Sequence, residues 1–267
     1  MGIAQFPILT ATTFHKQLDS GRSQPSIVQC VDARGSDAGL YVVKLLGSLE
    51  SKETGFMCEF MASRLASLLG IPVPEPASVV IEKDFAETIP EPQLRQRFLA
   101  SVCTNFATKY KSPGLSTWPT GKSIPRDLFE ACAEIFAFDV LIQNPDRRKV
   151  NPNLLWDAEE IYAYDHETAF SFIQDIIARK NPTGSLTAEK LSFLKDHVFF
   201  NNLRKQDLDY ARLEGAMLGV TAPVLAQIGG QMPKAWRTSD LKPILEYTEA
   251  VCKTPANVTR IARELLA

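Results

Sequence analysis

The chain has 267 residues, of which 45% are hydrophobic and 22% are charged, so it is long enough to bury a substantial core. This composition excludes a disordered chain, a fibre and a small disulfide-stapled domain. Lysine and arginine number 29 against 31 for aspartate and glutamate, and the formal charge of -2 excludes the basic excess of a dedicated nucleic-acid-binding protein. We therefore expect no direct nucleic-acid binding, although a local basic groove is compatible with these numbers.

The cysteine pattern and the hydropathy pattern indicate a cytoplasmic protein. The five cysteines are scattered without a CxxC pair, which favours reduced thiols over disulfides or a zinc site. No stretch approaches the roughly 18 apolar residues that a membrane span needs, and the N-terminus lacks the apolar segment of a signal peptide. The sequence thus predicts a soluble, unexported protein that does not bind membranes.

The first 82 residues predict a strand-rich unit with one helix. Residues 26–31 and 40–46 are β-prone and flank turn residues, which indicates a hairpin. Helical spacing of apolar residues begins near Lys52, and Gly70 followed by prolines ends that helix. Residues 77–81 predict another strand.

The remainder predicts a joining segment and a helical unit. Residues 83–112 carry the prolines and charges of a surface crossover, including Arg95-Gln96-Arg97. A buried helix is predicted from just before Pro125, capped by Ser123, to Ile142. Two short strands at 154–156 and 161–164 follow, and amphipathic helices dominate from residue 187. The predicted organisation is one domain over 1–267, with an N-lobe of about 1–82, the joining segment of about 83–112, and a C-lobe of about 113–267.

The loop after the buried helix carries the most informative side chains. Asp146 and Asn151 lie five residues apart, and Asp165 follows Asp146 by nineteen residues at the end of a β-turn-β unit. Phosphoryl transfer needs one carboxylate near the incoming hydroxyl and oxygen ligands that hold magnesium against the phosphates. These three residues fit those requirements, and Asn153 competes less well with Asn151 because its offset from Asp146 differs.

Lys44 and Glu59 form a second candidate pair. Lys44 is flanked by apolar residues in a predicted strand, and such a lysine is costly to bury unless an anion meets it. Glu59 lies fifteen residues on, in the predicted helix. Taken singly, Lys44 is typical of an edge-strand lysine, Glu59 of a solvated helix face and Asp146 of a turn cap. Their combination favours a functional site.

Four motifs in a fixed order resemble a known family. They are Tyr41-Val42-Val43-Lys44, Glu59 in a helix, Asn144-x-Asp146-Arg147-x-x-x-Asn151, and Tyr164-Asp165-His166-Glu167. This set resembles the HipA-like kinases, which belong to the wider protein-kinase and phosphatidylinositol-kinase fold. The resemblance covers roughly residues 18–240 and rests on the order and spacing of the motifs together.

The resemblance implies an α+β, two-lobed protein-kinase-like fold with a strand-rich N-lobe, a mainly helical C-lobe and ATP with Mg²⁺ between them. Lys44 would contact the α/β-phosphates and pair with Glu59. Asp146 would be the catalytic base, and Asn151 and Asp165 would bind magnesium.

The resemblance also implies a role for one turn, and the sequence differs from related kinases at two positions. Gly21 and Ser23, in the turn Gly21-Arg22-Ser23, would cover the phosphates, although the turn has no G-x-G-x-x-G pattern. Arg148 stands where many relatives have His, and His166 stands where protein kinases have Phe. The chain is much shorter than the HipA toxins and is expected to lack their additional N-terminal region, so no antitoxin or operator DNA is expected as a partner.

The leading functional interpretation is an ATP- and Mg²⁺-dependent serine/threonine protein kinase that could also phosphorylate itself. One alternative is a small-molecule or lipid kinase, but the apolar to neutral segment 168–175 disfavours anionic lipid headgroups. Another is a nucleotide-binding pseudokinase that acts as an interaction module, against which the retention of Lys44, Asp146, Asn151 and Asp165 argues. A structural adaptor without nucleotide is a third. The acceptor and the oligomeric state are not determined by the sequence.

Overall fold

A computed structural model of the chain describes residues 3–18, 23–111 and 114–267. The strands are β1 (Ile8–Gln17), β2 (Ser26–Val31), β3 (Asp37–Val43), β4 (Pro76–Val80), β5 (Thr104–Lys109), β6 (Ser116–Thr117), β7 (Leu154–Trp156) and β8 (Ile161–Ala163). The helices are α1 (Lys52–Leu69), α2 (Lys83–Glu87), α3 (Pro92–Leu99), α4 (Phe129–Leu141), α5 (Ile176–Lys180), α6 (Phe200–Leu203), α7 (Ala211–Met217), α8 (Ala222–Gln231), α9 (Leu241–Cys252) and α10 (Pro255–Leu266). The architecture is mixed α+β, with a strand-rich N-terminal part and a helical C-terminal part, as predicted.

Five strands of the N-terminal part close into a barrel. Their order is β1-β2-β3-β5-β4, and the parallel pairing of β1 with β4 completes the closure. The side chains that point into the barrel are apolar and buried. Successive side chains of a strand point to opposite faces, so a strand with one face in a core is expected to bury alternate residues. The predicted hairpin is confirmed, since β2 and β3 pair from Ser26↔Val43 to Val31↔Asp37.

Strand β3 ends earlier than the sequence predicts. It stops at Val43, so Lys44 lies one residue beyond it, although the Lys44 backbone N–H still donates to Phe106 O at 3.0 Å. A 3₁₀ turn, Leu46–Ser48, follows in place of the predicted end of the strand. The side chain of Asn105 accepts the Leu46 backbone N–H at 2.9 Å, which compensates a backbone donor that a strand would have paired.

Helix α1 lies against the barrel and the helical part. It begins and ends as predicted, because Gly70 adopts the left-handed backbone (φ 70°) that terminates a helix without a Cβ clash. Nearly every residue from Gly55 to Ala66 is buried, including Glu59. A helix buried on all sides carries a charged residue only where that residue has a partner.

The predicted joining segment is more structured than a surface crossover. It forms α2 and α3 and then β5, which pairs with both β3 and β4 inside the barrel. Thr104–Lys109 is short and partly polar, so its strand character comes from these long-range pairings.

The helical part begins with α4. The predicted cap at Ser123 is wrong: a 3₁₀ turn, Arg126–Leu128, precedes the helix, which starts at Phe129 without a side-chain cap. The two short predicted strands are confirmed as β7 and β8, which form a small sheet with β6. In the part of the chain that the structure describes, no helix is long and apolar enough to cross a membrane.

Trp236 joins the two parts of the molecule. Its ring packs at an angle on Phe56, at 5.3 Å between centroids, and on Phe106 of β5, at 6.2 Å. Its indole N–H donates to Thr104 O at 2.9 Å. A buried aromatic residue with a satisfied polar atom is a packing anchor.

Candidate active site

A buried ion pair shapes the loop that follows α4. Asp139, in α4, accepts from Arg147 Nε at 2.6 Å, from Asn144 Nδ2 at 3.0 Å and from His197 Nε2 at 3.0 Å. The Asp139, Arg147 and His197 side chains are fully buried. Arg147 also donates to Tyr164 O at 3.1 Å, immediately before Asp165. One guanidinium therefore ties α4, the loop and the end of β8 together.

The charges of this network follow from its contacts. Burial would raise the pKa of Asp139, but Arg147 and the hydrogen bonds from His197 and Arg147 hold it far below its usual range. Burial lowers the pKa of His197 below 6.5 although Asp139 opposes this. Neutral His197 accepts the Phe199 backbone N–H on Nδ1 at 3.1 Å, so its Nε2–H donates to Asp139.

Acidification should weaken this network in two stages. Because the folded-state pKa of His197 is depressed, the unfolded chain takes up the proton first, and the free energy of unfolding falls as pH drops through 6.5. The contribution of Asp139, whose folded pKa is also depressed, is complete above about pH 4 and is lost below it. Urea midpoints between pH 8 and pH 3 measure both stages. The slope near pH 6.5 should become shallower in His197→Gln, and the part that remains comes from buried His166, whose pKa is also lowered. Equal slopes in parent and His197→Gln would contradict the assignment.

Asp146, the predicted base, is oriented by two amides and a guanidinium. Its Oδ2 accepts from Asn151 Nδ2 at 2.9 Å and from Asn153 Nδ2 at 3.3 Å, and its Oδ1 lies 3.2 Å from Arg148 NH2. Asn151 and Asn153, which competed for one role in the sequence, thus both contact the same carboxylate. The donation from Asn151 Nδ2 leaves its amide oxygen as the atom suited to a metal ion.

Lys44 connects residues far apart in the chain. Its ammonium pairs with Glu59 and, at 2.6 Å, with Asp165, which is 121 residues away. Burial by itself would lower the pKa of Lys44, but Asp165, Glu59 and Glu167 outweigh it and raise that pKa. Burial would raise the pKa of Asp165, and Lys44 reverses this and lowers it. The predicted Lys44–Glu59 pair is present, and the contact with Asp165 is a further one.

Asp165 itself adopts an unusual backbone. Its φ of 60° lies in the left-handed region, which a non-glycine residue occupies when its surroundings hold it there. The next residue, His166, donates its backbone N–H to Glu59 Oε2 at 3.0 Å. This bond and the Lys44 contact fix the carboxylate of Asp165 toward α1.

His166 fills an apolar position. Its ring is buried edge-on to Phe138, at 6.0 Å between centroids, and neither ring nitrogen has a hydrogen-bond partner among the described residues. Burial lowers the pKa of His166 to about 3, with the Arg147 charge adding to the effect. The ring is therefore neutral at pH 7 and packs as an apolar side chain would.

Glu167 stands in the fourth motif, and the sequence interpretation gave it no role. Its carboxylate accepts from Ser51 Oγ and lies 3.9 Å from Lys44 Nζ. The approach depends on Gly55 in α1, where a Cβ would lie 2.2 Å from Ser51 Oγ and 3.0 Å from Glu167 Cγ. The absence of a side chain at Gly55 thus admits a further carboxylate beside the lysine.

These groups border a cavity of about 350 Å³. It is lined by Ser23, Ser48, Leu49, Glu50, Asp146, Arg148, Asn151, Asp165, Glu167 and Thr168. Four carboxylates and one guanidinium in this lining leave a negative excess, which favours cations. Ser23, to which the resemblance assigns a phosphate-covering role, lines this cavity, whereas Gly21 lies outside the described residues.

The oxygen donors fit a hard divalent ion. Asp146, Asn151 and Asp165 offer carboxylate and amide oxygens in one cavity, the donor types that Mg²⁺ uses together with water and phosphate. Within residues 3–18, 23–111 and 114–267, no three His, Cys, Asp or Glu side chains are grouped so that protein alone could hold a metal ion. A metal ion at Asp146, Asn151 and Asp165 would therefore need water or the phosphates of a ligand to complete its coordination.

A model of the HipA-like kinase family matches residues 12–264, nearly the whole chain. The chain belongs to the HipA-like kinase family. A search of the curated proteins finds no match. Membership confirms the family predicted from the four motifs, and it implies a kinase that binds ATP with a divalent metal ion.

Two residues of this HipA-like kinase escaped the sequence interpretation. Asp139 was counted within an apolar helix, and His197 was given no role. A lone carboxylate inside the otherwise apolar run 135–142 is a usable indication, since a buried charge requires a partner. No local pattern identifies His197 as that partner, because it lies 58 residues from Asp139.

Proposed function

We propose that this HipA-like kinase transfers the γ-phosphoryl group of ATP to a serine or threonine hydroxyl of a protein, with Mg²⁺ as the metal ion. The observation that carries the proposal is the meeting of Lys44, Glu59 and Asp165 beside a cavity that also holds Asp146 and Asn151. These five residues come from segments as far apart as Lys44 and Asp165. Their side chains supply the lysine, the carboxylates and the amide oxygen that a phosphoryl-transfer site uses.

In the proposed reaction, Asp146 accepts the proton of the acceptor hydroxyl through a carboxylate oxygen. The hydroxyl oxygen bonds to the γ-phosphorus, the bond to the β–γ bridging oxygen breaks, and ADP leaves with that electron pair. Lys44, which Glu59 orients, balances negative charge on the α- and β-phosphates. Asn151 and Asp165 would hold the divalent ion, which supplies further neutralisation of phosphate charge.

The proposal includes a two-lobed arrangement within one domain over 1–267. In it, residues of about 1–82 and 113–267 form the N-lobe and C-lobe around the nucleotide, and about 83–112 join them. The burial of the Lys44 ammonium between Glu59 of α1 and Asp165 after β8 supports this arrangement, because a cleft between two lobes brings such distant elements together. The strand β5, which lies in the joining segment, pairs within the barrel.

ATP with Mg²⁺ should raise the melting temperature. At a ligand concentration about a hundredfold above Kd, the expected stabilisation is about 2.7 kcal/mol, a shift of about 5 °C or more for a chain of this size. The shift should require the metal ion in the parent protein, and mass spectrometry after incubation with a generic protein acceptor should show added phosphate.

Asp165→Asn should lose the Mg²⁺-dependent part of the shift, because it replaces a proposed metal ligand. Asp157→Asn is the matched control, since Asp157 is a turn carboxylate that does not line the cavity and accepts the Glu159 and Glu160 backbone N–H groups. Absence of any shift at millimolar ATP and Mg²⁺ would refute the proposed function. A shift without phosphate transfer would instead identify a nucleotide-binding pseudokinase.

A further inference from the structure

Arg97 connects two segments that line the cavity, which we call its two walls: one contains Ser23 and the other contains Ser48. From α3, its Nε donates to Ser48 Oγ at 2.8 Å and its NH2 donates to Ser23 O at 2.8 Å. Ser23 lies between β1 and β2, just before β2, whereas Ser48 is the last residue of the 3₁₀ turn after Lys44. Both serines line the cavity, and Arg97 itself does not. One guanidinium behind the cavity therefore sets the separation of two residues that face it.

The same helix end holds the 3₁₀ turn by its backbone. Gly47 N–H donates to Ser101 Oγ at 2.9 Å, and that hydroxyl donates to Arg97 O at 2.8 Å. A Cβ at Gly47 would lie 2.9 Å from Ala100 Cβ, so the turn contacts the end of α3 directly. The turn that contains Ser48 is thereby fixed to the element that carries Arg97.

Arg97 also contacts Gln24, a strained residue directly after Ser23. Gln24 has a φ of 42°, in the left-handed region. Its Oε1 accepts from Arg97 NH1 at 2.8 Å and from Gln17 Nε2 at 3.1 Å. A backbone of this kind persists where its surroundings hold it, and Arg97 supplies part of that support.

We propose that Arg97 is a positioning residue for the nucleotide: its guanidinium holds Ser23 and Ser48 at the separation that the bound phosphates require. The inference rests on the proposed function. Arginine suits the role because its planar fork donates in several fixed directions at once, which a lysine ammonium does not reproduce. With the walls already ordered, ATP binds without the entropic cost of fixing them.

Arg97→Ala should raise the dissociation constant for ATP with Mg²⁺ by about five- to tenfold, because binding must then order both walls. The value of kcat at saturating ATP should stay within about twofold, since the bound complex is the same. Arg97→Lys should fall between Arg97→Ala and the parent. Titration calorimetry and steady-state kinetics measure the two quantities.

Arg95→Ala is the matched control. Arg95 lies on the same helix and donates to Ile89 O at 2.7 Å and Pro90 O at 2.9 Å, which are not cavity residues. It should leave the ATP dissociation constant unchanged. In nucleotide-free protein, backbone amides of residues 23–24 and 46–49 should exchange hydrogen faster in Arg97→Ala than in the parent, and Arg95→Ala should match the parent there.

The possible failures are distinct. If the parent binds ATP and Arg97→Ala binds it equally tightly, the positioning role is overturned while the proposed function stands. An equal loss of affinity in Arg95→Ala also overturns it, because the effect would then reflect the stability of α3. If the parent binds no ATP, the proposed function and this inference fail together.

Discussion

Replacing Asp146 by asparagine should lower kcat for phosphoryl transfer by about 10²–10⁴-fold, while the dissociation constant for ATP changes by less than about threefold. Asparagine keeps the shape of the side chain but cannot accept the proton of the acceptor hydroxyl. The contacts from Asn151 and Asn153 hold the side chain in place, so the loss should reflect chemistry. Steady-state kinetics with a fixed acceptor and calorimetric titration of ATP supply the two measurements.

Asp157→Asn provides the comparison for this substitution, since it removes the charge of a turn carboxylate that does not line the cavity. Transfer by Asp146→Asn at a rate within about threefold of the parent would exclude Asp146 as the base. If ATP binding disappears together with transfer, Asp146 instead serves mainly in holding the metal ion and the nucleotide.

Replacing Asp139 by alanine should lower the free energy of unfolding by about 3–5 kcal/mol, because it leaves the Arg147 guanidinium buried without its counter-charge. Asn144 and His197 would lose the same acceptor. The loop that carries Asp146 should also lose its attachment to α4, so transfer activity should fall in the protein that remains folded. Urea unfolding followed by circular dichroism gives the stability, and kcat gives the second effect.

The exposed pair of Glu264 with Arg260 offers a control for the buried one. Glu264→Ala should cost at most about 1 kcal/mol, because solvent screens a surface ion pair. The double variant Asp139→Leu with Arg147→Met should be less destabilised than the sum of the single variants, since no buried charge is left unpaired. A loss below about 1 kcal/mol in Asp139→Ala would show that the network does not hold the loop.

The parts of the fold that the sequence predicts are those with a local pattern. The hairpin β2–β3 follows from two β-prone runs around a turn, and α1 follows from helical periodicity that ends at Gly70. Strand β5 was missed because Thr104–Lys109 has little alternation of its own. Its pairing with β3 and β4 stabilises it as a strand, and that pairing depends on elements far away in the chain.

The candidate site likewise contains contacts that the sequence predicted and contacts that it did not. The Lys44–Glu59 pair was predicted because an apolar strand makes a lysine conspicuous, and the structure contains that pair. Arg97 read as a surface residue, since charged neighbours and prolines surround it, yet it contacts both Ser23 and Ser48. Nothing within residues 90–100 indicates those partners.

The sequence by itself determined the family, the order of the motifs and the residue types that could carry phosphoryl transfer, because these depend on local identity and spacing. Tertiary structure alone decided which charges meet. Three kinds of contact each join residues more than 45 positions apart: Lys44 with Asp165, Asp139 with His197, and Arg97 with Ser48. A buried charge needs a partner, and the topology of the chain determines which residue lies close enough to be that partner.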